Sequence, residues 1–268
     1  MKTGVSLLTM GSGNVKVLLD TFKSVAGICD EIIYGDLLLW DIDREIVKGY
    51  AKEFNLKIIP FSFNYLYAKG FSSLLNELAS HSTNEYVMYL NTSEVVEKDF
   101  GILDAINKNP ECNVFYFTHP IDPHRWFRTY KKSEFQWSGI LHEQLHGEYK
   151  PFHKSIFQMK DLPKDMDDIK KAKVLDSLKE IVYFRQYMNI VDKPELLGET
   201  DPGWVKFAKD NYDSFNERLQ KRRHQEGALM FGTVGEFLDA AEYDINNNVF
   251  KSSIAIEYQN DPAFLDKK

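Results

Sequence analysis

VSLLTMGSGNVKVLLDTFKSVAGICDEIIYGD, residues 5 to 36, decides the fold of this chain. It opens on an apolar run (5 to 10), breaks at GSGN, continues as an amphipathic stretch (14 to 26) and closes on a second apolar run, EIIYG (31 to 35). Both runs are too continuously apolar to alternate between core and solvent, which predicts strands covered on both faces. The amphipathic stretch between them predicts a crossover helix, and a strand-helix-strand unit implies a parallel pair.

The same rhythm continues outward. IDREIVKGYAKEF (42 to 54) reads as a helix, LKIIPF (56 to 61) as a strand, LYAKGFSSLLNELAS (66 to 80) as a helix and YVMYL (86 to 90) as a strand ending at the turn Asn91-Thr92-Ser93-Glu94. Ligands of such sheets bind outside the carboxyl ends of the strands, so Met10 to Asn14, Asp36 and Asn91 to Glu94 are expected to converge. After FGILDAI the pattern changes. NVFYFTH, RWFRTYKK and FQWSGILHE read as shorter strands of a mixed or antiparallel extension over the same edge. From about Asp165 the segments 167–190, 204–223 and 234–245 read as helices, with ETDPGW (199 to 204) as a Pro- and Gly-bearing break. The expected division is a sheet domain over 1–164 and a helical extension over 165–268.

Composition narrows the class. At 268 residues and 43% hydrophobic content the chain has enough apolar material for a sizeable core. The apolar run near the start breaks at Gly11, too short to span a bilayer, and no small-residue cleavage site follows it. The two cysteines, Cys29 and Cys112, lack metal-type spacing, so they read as core thiols and the cytoplasm is the expected compartment. A net charge of -7 argues against coating nucleic acid by bulk attraction, and the basic runs at Lys170–Lys173 and Lys221–His224 read first as solvated helix faces.

Four segments, taken in order, resemble the family 2-like glycosyltransferases of the A-type fold, in the branch with a Trp-x-Gly-x-x-His-Glu motif. DEIIYGDLLLWDIDREIV (30 to 47) matches an Asp-Glu-Ile-Ile strand, a strand-end Asp, a second Asp and Arg-Glu-Ile, which places Asp36 and Asp41 on the acidic positions. FNYLYAKGFSSLLNELA matches a helix start in which Lys69 stands for the family's Arg. NEYVMYLNTSEVV matches the metal-binding Asp-x-Asp turn, with Asn91 and Ser93 in place of its carboxylates and Glu94 retained. FRTYKKSEFQWSGILHEQLHG carries Phe-Arg followed by Trp137, Gly139, His142 and Glu143. The resemblance covers residues 4 to 147 and implies an α/β fold, a Rossmann-like nucleotide-binding sheet with a C-terminal helical region.

What the resemblance implies chemically is transfer of a sugar from a nucleoside diphosphate donor, UDP foremost, with inversion. Donor contacts then fall to Met10, Asp36, Asp41, Lys69, Asn91 and Ser93, since a carboxylate accepts from base N–H or sugar hydroxyl groups and a Lys faces the diphosphate. A divalent cation, Mn or Mg, is held in such sites by paired carboxylates; here Ser93, Glu94 and His142 are the expected ligands. Losing two anionic ligands costs Coulomb attraction on the order of several kcal/mol, so metal affinity is expected to be reduced. For the base that takes the acceptor's proton the candidates are Glu143 and Glu134, with Glu143 ranked first on its motif.

Structural readings stand beside these. His142 also suits a strand cap, Asp41 or Asp43 an N-cap of the following helix, Trp40 and Trp137 packing, and Gly11-x-Gly13 an ordinary turn. The competing function is a catalytically silent nucleotide- or partner-binding module on the same fold, which Asn91 and Ser93 favour. The acceptor stays open among a polysaccharide, a lipid-linked sugar, a peptide and a modified nucleic-acid base.

Overall fold

A computed structural model of the chain describes residues 4–11, 15–37, 41–92, 94–118, 126–138, 144–161, 166–194, 202–223 and 225–227. Strand β1 (Val5–Gly11) and strand β2 (Glu31–Asp36) lie parallel on either side of the crossover helix α1 (Val15–Val25). Every residue of β2, and all of β1 except Met10, is buried, as strands covered on both faces must be. Helix α2 (Asp41–Gly49) leads to β3 (Leu56–Pro60), and α3 (Phe63–Ser80) leads to β4 (Tyr86–Tyr89). These four strands form the parallel half of the sheet, in the order β3-β2-β1-β4.

The second half is mixed, as the sequence suggested, but larger. Strand β5 (Glu94–Asp99) follows the turn after β4, then come helix α4 (Ile102–Lys108), β6 (Val114–Thr118) and β7 (Trp126–Lys131). Strands β8 (Phe135–Ser138) and β9 (Gln144–Gly147) make a separate two-stranded sheet, and β10 (Pro151–Asp161) returns to the main one. The full order is β3-β2-β1-β4-β7-β6-β10-β5, with β7 antiparallel to both β4 and β6, and β10 parallel to β6 but antiparallel to β5. Strands β5, β9 and β10 have no counterpart among the strands expected from the sequence. Helix α5 (Met166–Asp192) and helix α6 (Pro202–Lys221) confirm two of the three C-terminal helices; the third, over 234–245, lies outside the described residues.

One face of the parallel half packs against Leu18, Leu19, Phe22 and Val25 of α1, which meet Val5, Leu7, Ile32 and Tyr34; Ile102 and Ile106 of α4 join the same cluster. The opposite face takes α3, whose Leu78 sits against Gly35 so closely that a Cβ there would stand 3.1 Å from it. Gly35 is thus a close-approach position between helix and strand.

The chain forms two compact units. Among the described residues, the first comprises the two sheets, α1, α2, α4 and α3 from Ser73; the second gathers Ser62–Ser72 and the described stretches from Ala172 onward. Within α3, Gly70 has a non-helical φ of 76°, two residues before the boundary after Ser72.

Candidate functional site

At the carboxyl ends of β1, β2 and β4 the sheet register brings together Met10, Gly11, Asp36 and the Asn91–Glu94 corner, while residues 12–14 of the expected loop lie outside the described residues. Gly11 pairs with Asp36 and Met10 with Gly35, while Leu8 pairs with Tyr89 on the other side. The Leu90 N–H extends that contact by donating to the Leu8 carbonyl at 3.1 Å. Thr92 reaches back across β1: a Cβ on Gly11 would meet its side chain at 3.1 Å, and φ at Gly11 is +150°. Asp36 and the Asn91–Glu94 corner therefore flank a single strand end. Behind them, Tyr34 donates to the Gly11 carbonyl at 2.7 Å and Thr21 of α1 donates to the Thr92 carbonyl at 2.8 Å.

Asp36 is buried and bound by Arg44 of α2, an ion pair that fixes the carboxylate at the sheet edge. Arg44 belongs to the Arg-Glu-Ile match, and its spacing of eight residues from Asp36 places it on the first helix after that strand. Asp41 opens α2, but its side chain lies outside the described part of the structure. Lys69 is exposed on α3 in the stretch belonging to the helical unit. Ser93, His142 and Glu143 lie outside the described residues.

The corner itself is locked by Glu94. Its carboxylate accepts the backbone N–H of Asn91 at 2.7 Å, the Asn91 side-chain amide at 2.8 Å and the Arg128 guanidinium at 3.1 Å. Tyr89 donates to the Asn91 side-chain carbonyl at 2.9 Å, completing the hold on that residue. Arg128, on β7, stands 5.0 Å from the centre of the Tyr89 ring and 5.6 Å from that of Phe117.

This arrangement tests the expected metal site. A cation bound by Glu94 would sit beside a guanidinium already on the same carboxylate, and unit charges about 4 Å apart repel by about 4 kcal/mol at an effective dielectric near 20. Asn91, for its part, presents its carbonyl oxygen to Tyr89. Of the expected ligands Ser93, Glu94 and His142, Glu94 alone is among the described residues, and its carboxylate is already engaged by Arg128 and Asn91; no cluster of three His, Cys, Asp or Glu suited to a metal occurs among the described residues.

Trp137 is a packing residue. Its indole N–H donates to Tyr130 at 2.7 Å, its backbone exchanges two bonds of 2.8 Å with the Asn76 side chain, and its ring packs edge-on against Tyr89 and Tyr130. It thereby supports Tyr89, and through it Asn91. Glu134 is at the opposite end of the sheet: it bonds Asn113 and Lys131, and Lys131 pairs with Tyr86 at the start of β4. That position removes it as a base for chemistry at the carboxyl ends.

The sequence matches no family model and no curated protein. Among solved structures the chain is similar to TarS of S. aureus. That match has 10% identity and a TM-score of 0.45, and it covers 89% of this chain and 55% of the other, so this chain spans about half that length. A structure of TarS 1-349 in complex with UDP matches at 10% identity and a TM-score of 0.43, covering 93% of each chain. A mycobacterial protein matches at 9% identity and 0.35, covering 75% of this chain and 77% of its own.

The helical unit revises one surface feature. Arg222 is buried and paired with Glu180, which Arg218 also approaches at 3.8 Å, and Lys221 binds Glu217 at 2.6 Å. The basic run at Lys221–His224 is therefore in part an internal ion pair, which leaves less charge for a nucleic-acid acceptor.

Proposed function

We propose that this chain is a glycosyltransferase that binds a nucleoside diphosphate sugar, UDP-linked in first place, in the crevice at the ends of β1, β2 and β4. The supporting observation is the placement of Asp36 and the Asn91–Glu94 corner on either side of Gly11, at the point of an α/β sheet where ligands bind. In this reading Asp36, oriented by Arg44, accepts from the ribose or base. Gly11 lets the backbone approach the donor closely. Met10, Asp41, Lys69 and Ser93 remain proposed donor contacts.

An inverting transfer needs a base on the face of the sugar opposite the leaving diphosphate. Glu143 is proposed for that role, beside His142: it takes the proton of the acceptor hydroxyl as that oxygen bonds to the anomeric carbon and the bond to the diphosphate breaks. A donor-hydrolysis screen across UDP-, GDP- and TDP-sugars tests this. Turnover with one nucleotide class, lost in Glu143→Gln, supports it; turnover undiminished in both His142→Ala and Glu143→Gln contradicts the assignment.

A second reading has its own support. Glu94 and Asn91 satisfy each other's polar groups, which is what a corner retained for architecture would do. A nucleotide-binding module without chemistry would bind UDP and hydrolyse none of the sugar donors in the same screen.

A further inference from the structure

Among the described residues, Arg128 is the cation best placed to receive an anion at this corner. A guanidinium carries five N–H donors. Among the described residues Arg128 directs one of them to a protein acceptor, Oε1 of Glu94 at 3.1 Å. The rings of Tyr89 and Phe117 lie 5.0 and 5.6 Å from it, holding its position without taking up further donors. Its side chain is 18% exposed, so the charge is largely withdrawn from water yet still reachable. A half-dehydrated, pre-oriented guanidinium suits two oxygens of a phosphate, as a flexible surface Lys does not.

The neighbouring residues explain why such a group is needed here. Glu94, the one carboxylate of the Asn91–Glu94 turn, is bound to Arg128 and Asn91 rather than open to a metal. The corner thus presents a cation of the protein's own. We propose that Arg128 binds the diphosphate of the donor, with Glu94, Tyr89 and Phe117 as its positioning residues, and that donor binding needs no divalent metal. This inference rests on the nucleotide-sugar reading of the crevice.

The test is calorimetric titration of the full chain with UDP and, separately, with uridine, each in EDTA and in manganese. The expected result is UDP affinity equal within about twofold in both buffers. Arg128→Gln is expected to weaken UDP at least roughly tenfold while leaving uridine unchanged, since charge-assisted bonds to phosphate are lost and the nucleoside contacts are not. Should that variant fail to fold because Glu94 is left buried alone, the double variant Arg128→Met with Glu94→Gln removes both charges together and is expected to show the same loss. UDP binding that appears only with manganese, or variants that bind UDP as the wild type does, would overturn the inference and leave the crevice intact. Absence of both UDP and uridine binding to the wild type would instead remove the crevice reading itself.

Discussion

Glu94 holds Asn91, three residues before it, by two bonds at once: the backbone N–H at 2.7 Å and the side-chain amide at 2.8 Å. The turn is closed by a carboxylate that needs an amide opposite it. Asn91→Asp restores the acidic residue of the family pattern but sets two carboxylates face to face. It is expected to cost about 1–3 kcal/mol, the loss of a partly buried charge-assisted bond. A thermal melt in EDTA checks it, with a midpoint lowered by several degrees. Recovery on adding manganese would show that the added carboxylate binds the metal; an unchanged midpoint in EDTA would contradict the locked corner.

Gly11 should not tolerate a side chain. Its φ of +150° disfavours any L residue, and a Cβ would meet both branches of Thr92 at 3.1 Å. Gly11→Ala is expected to lose about 1–2 kcal/mol in denaturant titration, from backbone strain together with the contact. Adding Thr92→Ala should recover only the contact part.

Glu31, at the other end of the same sheet, gives the fold an acid limit. Burial alone would raise its pKa, but bonds from Lys57, Ser6 and Thr83 outweigh that and hold the carboxyl at about 2 against an ordinary 4.5. Because the folded pKa lies below the unfolded one, the stabilisation is complete above pH 4.5 and is lost as pH falls towards 2. Denaturant midpoints measured across that window should fall in the wild type. Glu31→Gln should begin about 1.5–3 kcal/mol less stable at neutral pH and show a flatter acid limb.

Arg222 and Arg223 are adjacent in sequence and opposite in consequence. Arg222 is buried against Glu180, whereas Arg223 is exposed. Arg222→Glu leaves Glu180 buried beside a like charge and is expected to cost at least about 3–5 kcal/mol, read as loss of helical circular dichroism or a collapsed melting midpoint. Arg223→Glu should lie within about 0.5 kcal/mol of the wild type. Equal effects of the two would contradict the internal ion pair.

The parallel half of the sheet was legible because continuous burial leaves a continuous apolar signature, as in VSLLTM and EIIYG. β5 and β10 were not, for physical reasons. In β5 the sequence Glu-Val-Val-Glu-Lys-Asp is half exposed, and its charges read as a solvated loop. β10 carries register shifts between Phe152 and Ser155, between Ser155 and Phe157, and between Gln158 and Met159, so its alternation never settles into a period of two. At the site, Asp36 and Asn91 announced themselves by following apolar strands. Arg128 sits inside a strand, marked in the sequence by the Phe-Arg match alone and with no role attached; its place at the corner appears only when β7 pairs with β4 and brings it over Tyr89.

The central claim is a place: a nucleoside diphosphate bound where β1, β2 and β4 end. Hydrogen–deuterium exchange with and without saturating UDP tests it most directly. Exchange is expected to slow in the peptides that contain Met10–Gly11, Asp36–Leu37 and Asn91–Glu94, with β9 and the β7–β8 turn unchanged. Protection confined to other segments would contradict it.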